Sequence, residues 1–134
     1  MIHLIARRVR PDQRERVVAW LREVDGPRRA EALESLAAEG VDHETAMIID
    51  TSDGPIIVYA MQTGDLSRSR AVADESPRSV DAEHRSVMRD ADDGAADAEI
   101  VLDLRADQME ETVLAGHDPQ ATRVEPDRDR VTSL

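Results

Sequence analysis

The chain is 134 residues long, carries a formal net charge of −12 with a pI near 4.6, and contains no cysteine. That length suits one ordinary domain, able to bury roughly two-thirds of its unfolded surface. The acid excess argues against nucleic acid or an anionic membrane surface, which demand a basic stripe; the missing thiols exclude disulfides, thiolate nucleophiles and Cys-based zinc sites; and no run approaches the roughly eighteen apolar residues of a membrane span.

The first patterned segment, HLIARRV, reads as a strand, and Pro11 after it offers a first helical position at which its missing N–H costs nothing. Val17, Trp20, Leu21 and Val24 recur at spacings of three and four, which predicts a helix that Gly26-Pro27 stops. Ala30, Leu33, Leu36 and Ala37 repeat the stripe, and Gly40 is placed to end that second helix in the left-handed conformation. HETAMIID (43–50) and PIIVYAMQ (55–62) are β-rich runs separated by TSDG, whose Asp53-Gly54 pair predicts an antiparallel hairpin. Asp65 or Thr63 can cap a short helix through Val72, and Pro77 separates it from a helical stretch running from about Val80 to Ala91 and ended by Gly94. AEIVLDL (98–104) alternates Ile100, Leu102 and Leu104 with Glu99, Val101 and Asp103, and is predicted as the last strand. The remainder mixes Pro and charge without apolar periodicity, so a domain over 1–105 and a partly disordered C-terminal extension over 106–134 are expected.

The order β-α-β-β-α-β is that of an α+β, ferredoxin-like fold: a four-stranded antiparallel sheet with its helices on one face. In the third strand Ile57, Tyr59 and Met61 fall on one side and Ile56, Val58 and Ala60 on the other, so both faces call for burial. Helices can cover only one side. A second copy is the natural lid for the other, which predicts a homodimer with sheet facing sheet, a dimeric α+β barrel.

All seventeen basic residues are arginine, phenylalanine is absent, and Trp20 and Tyr59 are the only large aromatics. Surplus carboxylate without lysine suits molar salt, where the Debye length falls to about 3 Å and surface repulsion is screened. A GC-rich genome would also replace Lys by Arg, but the acid excess predicts a salt-adapted protein, and MIHLIARRVR, which lacks the basic-then-apolar order of a signal peptide, predicts a cytoplasmic one. The excess is concentrated over residues 74–111, where four arginines face thirteen acids, a pattern expected of a solvated face.

The stretches RRVRPDQRERVVAWL, EGVDHETAMII, IIVYAMQTGD and ESPRSVDAEHRSVM resemble, in residues and spacing, a family of small bacterial and archaeal proteins of the dimeric α+β barrel superfamily. The sharpest part is the S-P…D-x-E-H-R-x-x-M pattern at 76–88. The resemblance implies a pocket for a small organic molecule between sheet and helices. Members of that superfamily include cofactor-free monooxygenases, sugar mutarotases and muconolactone-isomerase-like enzymes, and fold does not choose among them.

Proton transfer near neutrality calls for a group that titrates there and sits out of bulk water. His84 shares a helical stripe with Val80, Val87 and Ala91 and so points inward, either as an acid/base or as a structural histidine. Glu44, a carboxylate inside an apolar strand, needs a partner such as His84 or an arginine. These two are the candidate catalytic residues, with Arg7, Trp20, Tyr59 and Arg85 as candidate ligand contacts. His3, His43 and His84 lack ligand spacing, so no metal is expected, and no cofactor motif occurs. His117 falls in the extension. Two classes remain: a ligand-binding or interaction module, and a cofactor-free isomerase, mutarotase or monooxygenase.

Overall fold

Four strands pair antiparallel throughout, in the spatial order second, third, first, fourth, as the ferredoxin-like plan requires. In the computed structural model, which describes residues 1–109, these are β1 (Ile2–Val9), β2 (Val41–Thr51), β3 (Gly54–Thr63) and β4 (Asp92–Ala95). Each crossover carries two helices: α1 (Arg14–Val24) and α2 (Arg29–Glu39) after β1, then α3 (Leu66–Glu75) and α4 (Ser79–Ala91) after β3. Residues 1–96 form one compact unit, and the described residues 97–109 belong to another.

Local chemistry explains most boundaries. Pro11 opens a 3-10 turn that leads into α1. Gly40 ends α2 at φ 71°, where a Cβ would be strained. Asp65 caps α3 by accepting from the Arg68 N–H at 3.0 Å. The hairpin closes on the Thr51↔Gly54 pair; Ser52 and Asp53 form its tip without positive φ, and Gly54 alone takes the left-handed value, at 113°. The first turn of α4 is served from outside, because Glu31 on α2 accepts from the Val80 N–H at 2.9 Å and from the Ser79 hydroxyl at 3.0 Å. That contact ties α2 to α4.

The fourth strand corrects the sequence-based expectation. It is formed by Asp92–Ala95, directly after α4, while residues 98–104 form no strand and leave Ile100, Val101, Leu102 and Leu104 exposed. Gly94 thus lies inside β4 and does not end a helix. Alternation marked AEIVLDL as strand-like, but pairing is decided where backbone and charge meet. The Arg10 N–H donates to the Ala91 carbonyl at 2.8 Å, the Ala96 N–H donates to the Ala6 carbonyl, and Arg7 clasps Asp92 with two bonds of 2.8 and 2.7 Å. Asp92 is therefore held against β1 before the apolar run begins. The part of the extension from residue 110 on, with His117, lies outside the described residues.

The core lies between sheet and helices. Val9, Ile57 and Tyr59 from the strands meet Val17 and Trp20 of α1 and Val80, Val87, Met88 and Ala91 of α4. The alternation in β3 is regular: Pro55, Ile57, Tyr59, Met61 and Thr63 are buried against the helices, whereas Ile56, Val58 and Ala60 are only partly covered. Cross-strand partners share a face, so Leu4 and Thr45 join Ala60, and Met47 joins Val58, on the far side of the sheet. No helix of that unit covers this side, and Leu4 and Met47 keep 52 and 53 % of their surface exposed. Among the described residues no helix is long and apolar enough to cross a membrane.

Candidate functional site

A single irregularity in β2 sets the site. Val41 pairs with Thr63, yet His43 pairs with Gln62, so one extra residue is accommodated between them. A one-residue slip exchanges the two faces of a strand. Without it His43 would stand opposite Met61; with it Glu44 does, which places the Glu44 carboxylate on the helix side and His43 on the open side. Glu44 has no ion-pair partner among the described residues. Burial, and then the charges of Glu39 and Asp81, push its carboxyl up to about 7.

His84 is on the inward stripe of α4, beside the buried Val80, Val87 and Ala91. Trp20, from the buried face of α1, donates its indole N–H to His84 Nδ1 at 2.9 Å. An indole nitrogen can only donate, so Nδ1 is unprotonated and the neutral ring carries its proton on Nε2. Burial, with Arg85 adding to it, lowers His84 to about 4, so the ring stays neutral at physiological pH. No acceptor for the Nε2–H occurs among the described residues.

Tyr59 projects from β3 toward the same point. Its ring stands edge-on to His84, centroids 6.2 Å apart. The residue is 2 % exposed, and its hydroxyl is the one fully buried side-chain polar atom without a hydrogen-bond partner among the described residues. Leaving such a group unsatisfied costs about 1–3 kcal/mol. Burial and the nearby Glu44 charge both hold the phenol protonated. Glu44 is a diagonal neighbour of Tyr59 across the sheet, since Ala46 is the directly paired residue.

Behind Glu44 lies a second polar group that sequence reasoning missed. Ser35 of α2 places its hydroxyl 2.7 Å from both Asp81 oxygens and 2.9 Å from Glu39 Oε1, and Ser76 donates to Asp81 as well. Ser35 has one proton for two carboxylates. The second contact is favourable only when a carboxyl brings a proton of its own, in line with Glu39, which burial holds above the ordinary carboxylate range. Ser35 and Glu39 stand four apart on one helix face, a spacing visible in the sequence, but Asp81 reads there as an ordinary acidic residue in a helix first turn.

Four of the six expected site residues thus converge: His84, Glu44, Trp20 and Tyr59. The anticipated pairing of Glu44 with His84 or an arginine does not form among the described residues. Arg7 is taken up by Asp92 at the β1–β4 edge. Arg85 donates to the Ala73 and Ser76 carbonyls at 2.6 and 3.2 Å and so serves the end of α3. Arg28 lies over the Trp20 ring, 5.6 Å from its centroid, and also binds Glu31 and Glu83. Near Glu39, a crevice of about 230 Å³ opens between Gly40, Thr63, Asp65, Arg68 and Ser69. No group of three His, Asp or Glu side chains among the described residues is disposed to hold a metal ion.

Fold and site together define a small α+β protein whose antiparallel sheet carries, on its helix side, a buried and incompletely satisfied polar cluster. The chain belongs to a family of unknown function, DUF6176, which it matches over residues 1–109. No curated protein and no solved structure matches it.

Proposed function

We propose that the protein is a ligand-binding module of the dimeric α+β barrel kind, in which two copies meet sheet to sheet in a salt-adapted cytoplasm and each binds a small organic molecule between its sheet and helices. The observation that carries the ligand site is the Tyr59 hydroxyl: buried, unpartnered, and set beside His84 with its free Nε2–H and an unpaired Glu44. Buried polar groups are almost always satisfied, and a fully buried hydroxyl left without a partner, with His84 and the Glu44 carboxylate near it, calls for a molecule that supplies one. The second copy is supported by the uncovered face bearing Ile2, Leu4, Met47 and Ile49, which a lone protomer leaves in water.

Native mass spectrometry from concentrated ammonium acetate tests both parts. A dimer releasing a small molecule on activation is the expected result, and Leu4→Arg with Met47→Arg should yield a folded monomer. A wild-type monomer would overturn the barrel reading. A dimer that never carries or takes up a small molecule would overturn the ligand site.

One observation favours a second reading. Glu44 titrates at about 7, where a general acid or base is most effective, whereas His84 at about 4 is too weak a base for the acid/base role. A cofactor-free isomerase would then use Glu44, with the Tyr59 hydroxyl and the His84 Nε2–H holding the substrate oxygen. Turnover of any substrate that survives His84→Gln and is lost in Glu44→Gln is the expected signature.

A further inference from the structure

We infer that the Tyr59–His84–Glu44 site takes a small organic cation, a primary ammonium or a guanidinium, in preference to an organic acid or a phosphate. This rests on the ligand site proposed above and names its chemistry.

The argument begins with the charges that reach the site. Glu44, Glu39 and Asp81 act on one another there, and Ser35 has a single proton to share between the last two. No arginine is paired with Glu44. Arg7 is bound to Asp92 and Arg28 to Glu31 and Glu83, while Arg78 acts on Glu39 and Arg85, hydrogen-bonded to two carbonyls, acts on His84. His84 is neutral and adds no positive charge. An anion entering this place would meet three carboxylates, Glu44, Glu39 and Asp81, against the charges of Arg78 and Arg85 alone among the described residues, in a medium where like charges repel far more than in water.

The second observation is independent of the acids. The unpartnered Tyr59 hydroxyl is buried, on a residue 2 % exposed, and lies within the field of Glu44, so it can accept from an ammonium or guanidinium N–H that Glu44 also binds. Aromatic surface adds to this. The chain has only one Trp and one Tyr, and both rings contact His84, with centroids 6.4 and 6.2 Å from it. One of them already holds a guanidinium, that of Arg28. A bare metal ion is a poor occupant because the acidic groups are not disposed around one point; a cation with a carbon body can reach Glu44 while resting on the rings.

The test uses four probes of one size: butylammonium, butylguanidinium, butyrate and butanol, titrated into the full-length protein in molar KCl so that attraction to the acidic surface is screened. Trp20 fluorescence and the His84 imidazole resonances report occupancy. Saturable binding of the two cations is expected, with no response to butyrate or butanol. Below neutrality, binding should release protons from Glu44, seen as a dependence of the calorimetric heat on buffer ionisation. Glu44→Gln, which keeps the side chain's shape, should weaken the cations by about tenfold or more. Equal binding of butanol or butyrate would overturn the inference while leaving a ligand site in place. Undiminished cation binding to Glu44→Gln would also overturn it, by placing the cations on the surface, as would failure of all four probes to bind.

Discussion

Replacing Glu44 by Gln should make the protein more stable, and only at the alkaline end of the pH range. The folded state raises the Glu44 carboxyl from 4.5 to about 7, and at 1.36 kcal/mol per unit this is a penalty of roughly 3 kcal/mol for the ionised form. The folded pKa lies above the unfolded one, so the native state holds a proton that the unfolded chain gives up. Stability attached to Glu44 is therefore intact below 4.5, falls as pH rises, and is lost above about 7. A glutamine cannot ionise. Its advantage should be near zero at pH 4.5 and grow to as much as about 3 kcal/mol by pH 8, roughly 10 °C in Tm for a domain of this size. His84 works in the opposite sense. Its pKa falls from 6.5 to about 4, so its contribution is intact above 6.5 and lost as pH falls toward 4. The two slopes offset each other in the wild type between 4.5 and 6.5, and Glu44→Gln should expose the acid-side loss from His84. Urea unfolding at a series of pH values, with salt and protein concentration held constant, measures this directly. A stability gap independent of pH, or a variant less stable than wild type at pH 8, would refute the placement of Glu44 among uncompensated acids.

Four further outcomes follow from the same geometry. Tyr59→Phe removes a buried hydroxyl that lacks a partner and should raise the melting free energy by about 1 kcal/mol while weakening any bound ligand; a loss of stability would mean that the hydroxyl is satisfied. Trp20→Phe takes away the donor to His84 Nδ1 and should cost at least about 1–2 kcal/mol, and nitrogen-15 spectra of the imidazole should change from one tautomer to a mixture. Asp92→Asn leaves Arg7 without its two-bond partner and should cost about 1–2 kcal/mol, read most directly as faster amide exchange at Ala96. Salt adaptation predicts a gain in stability on going to molar KCl, and complete folding in dilute buffer with no such gain would remove it.

Much of the architecture is legible along the chain because its determinants are local. The stripe Val17, Trp20, Leu21 and Val24, the Gly40 terminus and the break at Pro77 each act within a few residues, and the helices lie where these signals put them. The inward direction of His84 follows from the same periodicity. The last strand was misplaced because AEIVLDL carries the stronger alternation, whereas DDGA is held by the Arg7–Asp92 clasp and by backbone bonds to β1, none of which leaves a periodic trace.

The site depended on contacts the sequence does not encode locally. Trp20 and His84 are 64 positions apart and Ser35 and Asp81 are 46 apart; each pair meets only because α1 and α2 pack against α4. Glu44 faces the helices because of one extra residue between Val41 and His43. Sequence alone determined the helices, the first three strands, the β-α-β-β-α-β order, and that an inward histidine would ride the second-half helix, since periodicity and capping are properties of neighbouring residues. Tertiary structure alone decided that this histidine is a neutral acceptor for Trp20, and that Glu44, held among other acids, is the group poised to ionise near neutrality. Protonation is set by burial and by charges brought close from distant parts of the chain.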